Sequence, residues 1–128
     1  MRMISRRLHV ILDYAMGVLL FSSPWLFGFE HAKAARWCVV TVGFLLLVIS
    51  FFTDYEDRAK RAIPMSAHLM IDGLIGVLLA ASPWLFHFND NVYLPHMVLG
   101  ITEVGLALFT QRKPEPIRNF DTKIHSLP

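Results

Sequence analysis

The chain is short of the features that mark most soluble proteins. Charged residues fill only 17% of its 128 positions, against about 25% in an ordinary soluble domain. Hydrophobic residues make up 55%, and the mean hydropathy is +0.48, which excludes a disordered or collagen-like chain. A lone cysteine, Cys38, rules out an intrachain disulfide and so a disulfide scaffold. The net charge of +2 is too small to argue for nucleic acid as a partner. There is no glycine-rich phosphate loop, and no serine or cysteine beside an arranged base, so no catalytic residues and no enzymatic activity are expected. No cofactor or resident metal is assigned on this ground. The ten-residue alternation of a membrane β-barrel is missing as well.

What is present is apolar and periodic. Four stretches, at about 8–27, 34–52, 63–86 and 92–110, are each near the ~20 residues that a helix needs to cross a bilayer core. Backbone groups in lipid must be satisfied internally, which favours helices. The expected fold is therefore all-α, a bundle of four transmembrane helices with the bilayer itself as partner. The basic residues before the first stretch, Arg2, Arg6 and Arg7, look like the start of a signal peptide. A retained span is preferred, because no small-x-small cleavage site follows and the segment recurs inside the chain.

That recurrence organises the rest. Shifted by 59 residues, 8–29 falls on 67–88, and 12 of the 22 positions are identical. His9, Asp13, Gly17, Ser23, Pro24 and Trp25 match His68, Asp72, Gly76, Ser82, Pro83 and Trp84. The later segments align at an offset of 57, through Gly43/Gly100, Phe52/Phe109 and Thr53/Thr110. The chain reads as two tandem helix–loop–helix copies, 1–62 and 63–110, followed by a polar tail at 111–128. Two spans per copy return the chain to its starting side, so the copies are expected to be parallel, about a pseudo-twofold axis along the membrane normal.

Ser-Pro-Trp-Leu-Phe stands at 23–27 and again at 82–86, each time after His-x3-Asp-x3-Gly. This pattern resembles the SPW repeat family of small bacterial membrane proteins. The resemblance covers both copies and implies paired spans per repeat. It supplies no catalytic residues to carry over. One departure between the copies is His87, where the first has Gly28.

The motif also has a physical reading. Pro24 removes a backbone donor near the far end of its helix and kinks or ends it there. Ser23 can satisfy the group that is freed, and Trp25 anchors at headgroup depth. Ten of the twelve Lys and Arg residues fall in the N-terminus, the middle loop and the tail; only Lys33 and Arg36 fall opposite. The positive-inside bias then places both termini in the cytoplasm and the three tryptophans, Trp25, Trp37 and Trp84, at the outer interface of an inner membrane.

On a helical wheel His9, Asp13, Gly17, Leu20 and Pro24 share one narrow stripe, and His68, Asp72, Gly76, Leu79 and Pro83 repeat it. Lipid is a poor environment for ionisable groups, so both stripes should face protein. They are expected to face each other, with the first and third helices at the centre. Glu103, matched by Leu46 in the first copy, lies at a similar depth. His9, Asp13, His68, Asp72 and Glu103 thus form an expected intramembrane polar cluster. Three roles are open: a structural clasp in an accessory or complex-forming protein, with a membrane-protein partner or a second copy; a proton or cation path using Asp13, Asp72 and Glu103; and a haem or metal site using His9 and His68. The basic tail carries enough charge either to lie on anionic headgroups or to remain a loose terminus.

Overall fold

The computed structural model describes residues 3–56 and 60–113. The expectations for the tail beyond residue 113 and for the centre of the middle loop lie outside the described residues. Four helices follow one another: α1 (Arg6–Leu26), α2 (Lys33–Phe52), α3 (Met65–Leu85) and α4 (Leu94–Phe109). Ser5 caps α1, its hydroxyl accepting from the Leu8 N–H at 3.2 Å. The first three helices are long and apolar enough to cross a membrane. α4 is shorter than the stretch that predicted it. Pro95 stands in its first turn and Thr110 leaves helical geometry, so its 16 residues rise only about 24 Å.

The helices are turned inside out relative to a soluble bundle. Leu8, Ile11, Val18 and Phe21 of α1, and Met70, Leu74, Val77 and Leu78 of α3, are exposed. Both predicted stripes are buried along their whole length. An apolar exterior of this extent, around an interior that holds a polar cluster as well as an apolar core, suits lipid rather than water as solvent.

The glycines correct one expectation. Gly17 and Gly76 do not face each other. A Cβ added at Gly43 would stand 2.6 Å from the Phe21 nitrogen and 2.8 Å from the Gly17 oxygen. One added at Gly100 would stand 2.4 Å from the Ala80 nitrogen and 2.6 Å from the Gly76 oxygen. The glycines therefore bring α1 against α2 and α3 against α4. Backbones come closest where short turns hold consecutive helices antiparallel, and small residues are spent there.

The two hairpins are joined at one end by exchanged pairings that the sequence did not announce. Two short strands, β1 (Thr53–Asp54) and β2 (Ile63–Pro64), pair in parallel, Thr53 opposite Ile63. Ile4 pairs in parallel with Thr110. Ile4 and Ile63 are 59 residues apart, and Thr53 and Thr110 are 57 apart, so the start of each copy pairs with the end of the other. The N-terminus, the middle loop and the end of α4 thus share one end of the bundle.

The opposite end is built by Ser-Pro-Trp. Pro24 has no N–H to give the Leu20 carbonyl, and the Ser23 hydroxyl donates to that carbonyl instead, at 2.8 Å. Ser82 does the same for Leu79 at 2.7 Å. Each helix runs two residues past its proline and closes with a bond from the Phe29 N–H to the Pro24 oxygen, or from Phe88 to Pro83, both 2.8 Å. Between them Gly28 takes φ +71° and His87 takes φ +55°. This is a Schellman-type end, with its left-handed residue followed by a buried aromatic. Trp25 and Trp84 are turned outward, 58% and 49% exposed.

Candidate polar centre between the hairpins

The site is assembled one helical turn at a time. In each copy His and Asp stand four residues apart and therefore on one face. The threonine that ends the second helix of one copy lies beside the histidine of the other, because the strand pairings exchange the copies. The Thr53 hydroxyl donates to the Ile49 carbonyl at 2.7 Å and lies 2.8 Å from Nδ1 of His68. The Thr110 hydroxyl donates to the Leu106 carbonyl at 2.6 Å and lies 2.8 Å from Nδ1 of His9. A hydroxyl has one proton. With that proton on a carbonyl, each threonine oxygen accepts from Nδ1–H, and both imidazoles turn Nε2 toward the centre.

There Nε2 of His9 lies 3.1 Å from Asp13 Oδ1, 3.2 Å from Asp72 Oδ2 and 3.4 Å from Nε2 of His68. Nε2 of His68 lies 2.7 Å from Asp13 Oδ2 and 2.9 Å from Asp72 Oδ2. All four side chains have no exposed surface. The two imidazole rings meet edge to face, their centroids 5.4 Å apart. Asp13 Oδ2 also accepts from Ser50 at 3.3 Å and from the Tyr55 hydroxyl at 3.2 Å. Burial pushes the Tyr55 phenol well above its usual range, which keeps it a neutral donor. Asp72 Oδ1 accepts no hydrogen bond among the described residues.

Glu103 is fully buried and within electrostatic reach of all four, yet neither of its oxygens is hydrogen-bonded among the described residues. The structure therefore brings four of the five expected residues into contact and leaves the fifth close by. The bis-histidine haem expected as one alternative does not fit: the two Nε2 atoms lie 3.4 Å apart with both carboxylates packed against them, which leaves no room for a porphyrin plane between the rings. A cleft of about 450 Å³ opens at the same end, lined by Arg6, Tyr14, Thr53, Tyr55, Lys60 and Arg61 among others. Two of its lining residues, Thr53 and Tyr55, touch His68 and Asp13.

These matched contacts involve the residues that repeat between the copies, and the SPW repeat domain matches residues 7–110. The chain belongs to the SPW repeat family. Family membership and the apolar helices make it a membrane protein. No curated protein and no solved structure matches the chain. In this SPW repeat protein five buried or half-buried residues escaped the sequence reading: Thr53, Thr110, Ser50 and Tyr55 around the cluster, and His96 away from it. Thr53 and Thr110 had a signal, since they match each other at the 57-residue offset. His96 had none. It is fully buried at the end opposite the cluster, where Nε2 donates to the Ala35 carbonyl at 3.0 Å. It packs against Phe29 and Phe88, with ring centroids 5.4 and 4.8 Å away, and so ties α4 to α2.

Proposed function

We propose that the chain is a structural or accessory component of a bacterial inner membrane, without enzymatic activity, that works as a scaffold in a membrane-protein complex or as a homo-oligomer. All four helices span, both termini face the cytoplasm, and the two hairpins are related by a pseudo-twofold axis along the membrane normal. The observation that carries this reading is the His9–Asp13–His68–Asp72 cluster, which is sealed from solvent and held by its own members and by Thr53, Thr110, Ser50 and Tyr55. A polar network held in this way specifies one packing of two otherwise interchangeable hairpins. The excess of basic residues at the same end supports the orientation.

Alanine at Asp13, Asp72 or Glu103, in liposomes containing the purified protein, separates this reading from a transport role. The scaffold reading expects no proton or cation flux above empty vesicles, and loss of assembly for the two aspartate variants. Flux in the wild type that these variants abolish while still folding would overturn it. One observation favours that second reading: the buried carboxyl of Glu103 makes no hydrogen bond among the described residues.

A further inference from the structure

We propose that Nε2 of His9, Nε2 of His68 and one carboxylate oxygen each of Asp13 and Asp72 hold a single divalent transition-metal ion of the zinc type. The inference rests on the clasp reading and adds an occupant to its centre.

Three observations converge. The first is tautomeric. Both Nδ1–H groups are committed to threonine oxygens, so both Nε2 atoms face carboxylate oxygens across 2.7–3.2 Å. A bare Nε2 lone pair against a carboxylate repels it, so a cation has to stand between them, either a proton on each ring or one metal ion shared by both. Protons serve this geometry poorly. Two N–H bonds would have to answer four carboxylate contacts, and the two Nε2 atoms would bring their hydrogens together across 3.4 Å.

The second observation is dimensional. In a tetrahedral zinc site with bonds of ~2.0–2.1 Å, the ligand atoms lie about 3.3 Å from one another. The close contacts here run from 2.7 to 3.4 Å, and one donor atom from each of the four residues can be chosen so that all lie within 4.8 Å of one another. The third is that Asp72 Oδ1 is a fully buried carboxylate oxygen with no hydrogen-bond donor among the described residues, which leaves acceptor capacity within the cluster.

The donor set selects the ion. Two imidazole nitrogens with two carboxylates suit zinc and its first-row neighbours, whereas magnesium and calcium prefer all-oxygen shells. The Thr53 and Thr110 hydroxyls are the outer partners that ligating histidines need, fixing tautomer and ring plane. Charge also balances. Two carboxylates neutralise one divalent ion, as they neutralise two imidazolium rings, so metal entry expels two protons and leaves the buried cluster at zero net charge. Thr53 and Tyr55, which touch His68 and Asp13, also line the cleft at this end, so one layer of side chains separates the ligands from it.

The test uses the full chain in detergent, purified without a polyhistidine tag, equilibrated with Zn2+ or Co2+ and freed of excess ion. The expected result is one ion per chain by elemental analysis, an intense visible Co2+ spectrum of tetrahedral type, and no displacement by Mg2+ or Ca2+. Thr53→Val and Thr110→Val leave all four ligands in place and should weaken binding about 10–100-fold. Asp72→Asn should abolish stoichiometric binding. Wild-type protein that holds no stoichiometric zinc would overturn the proposal and leave a proton-held clasp standing. Binding that survives Asp72→Asn, or that Mg2+ displaces, would overturn it too.

Discussion

The two halves of the chain share their architecture and differ where they carry burden. Matched residues build the frame: glycine pairs inside each hairpin, the serine that relieves each proline, the histidine, aspartate and threonine of the polar centre. Four of the unmatched positions bear on the interior or on a turn. Ser50, which donates to Asp13, is replaced by Ala107 in the second half, so Asp72 has no equivalent donor. Leu46 becomes Glu103, Val39 becomes His96, and Gly28 becomes His87. The two hairpins share one frame, and these substitutions make them unequal, placing Glu103 and His96 on α4 and the extra donor Ser50 beside Asp13. A symmetric frame with an asymmetric interior teaches that the shared residues supply both the fold and the polar centre, and that the unshared ones set the two hairpins apart.

The comparison can be broken most severely at the centre. Replacing Asp13 with Ala strands two imidazoles, Ser50 and Tyr55, and breaking a buried pair in this way costs about 3–5 kcal/mol. Asp72→Ala should cost less, because Asp72 has fewer donors. Unfolding of both variants by denaturant in detergent checks the order; equal losses would remove the asymmetry argued from Ser50 and Ala107.

Next come the glycines. Gly100→Ala and Gly43→Ala each force a methyl group into the backbone of the neighbouring helix, and overpacking of this kind costs about 1–3 kcal/mol. Thermal unfolding should show both variants destabilised. Gly105→Ala, where an added Cβ meets nothing within 4 Å, should be tolerated.

The proline turns should respond more mildly and in parallel. Ser23→Ala and Ser82→Ala each leave one carbonyl without its donor, a loss of about 1 kcal/mol. The two should match within measurement error, since the two turns make the same bonds. The smallest effect has the opposite sign. His87 holds a left-handed conformation that costs a non-glycine residue about 1–2 kcal/mol, and a glycine there gives back about 0.5–1 kcal/mol through the freedom it loses on folding. His87→Gly should therefore raise the unfolding temperature slightly, and Gly28→Ala should lower it.

Much of this was legible before any coordinates. The helical wheel put His9, Asp13, His68 and Asp72 on protein-facing stripes because lipid tolerates no ionisable group on the outside, and all four are buried. The role of Ser23 followed from counting the donor that Pro24 lacks. The partners of the glycines were not legible: a wheel gives the face that a residue occupies, and the neighbouring helix decides what meets it. The exchanged strands were hidden because two-residue pairings leave no periodic signal. His96 was hidden because a lone histidine at the start of an apolar helix looks the same whether it faces lipid or core.

The central claim is that the polar centre joins the two hairpins, and a double-mutant cycle between Asp13 in α1 and His68 in α3 tests it most directly. Their side chains lie 2.7 Å apart across the hairpin boundary. Stability should be coupled within the ~0.5–3 kcal/mol found for residues in one network. Changes that simply add, within the ~0.3–0.5 kcal/mol typical of independent sites, would contradict the account.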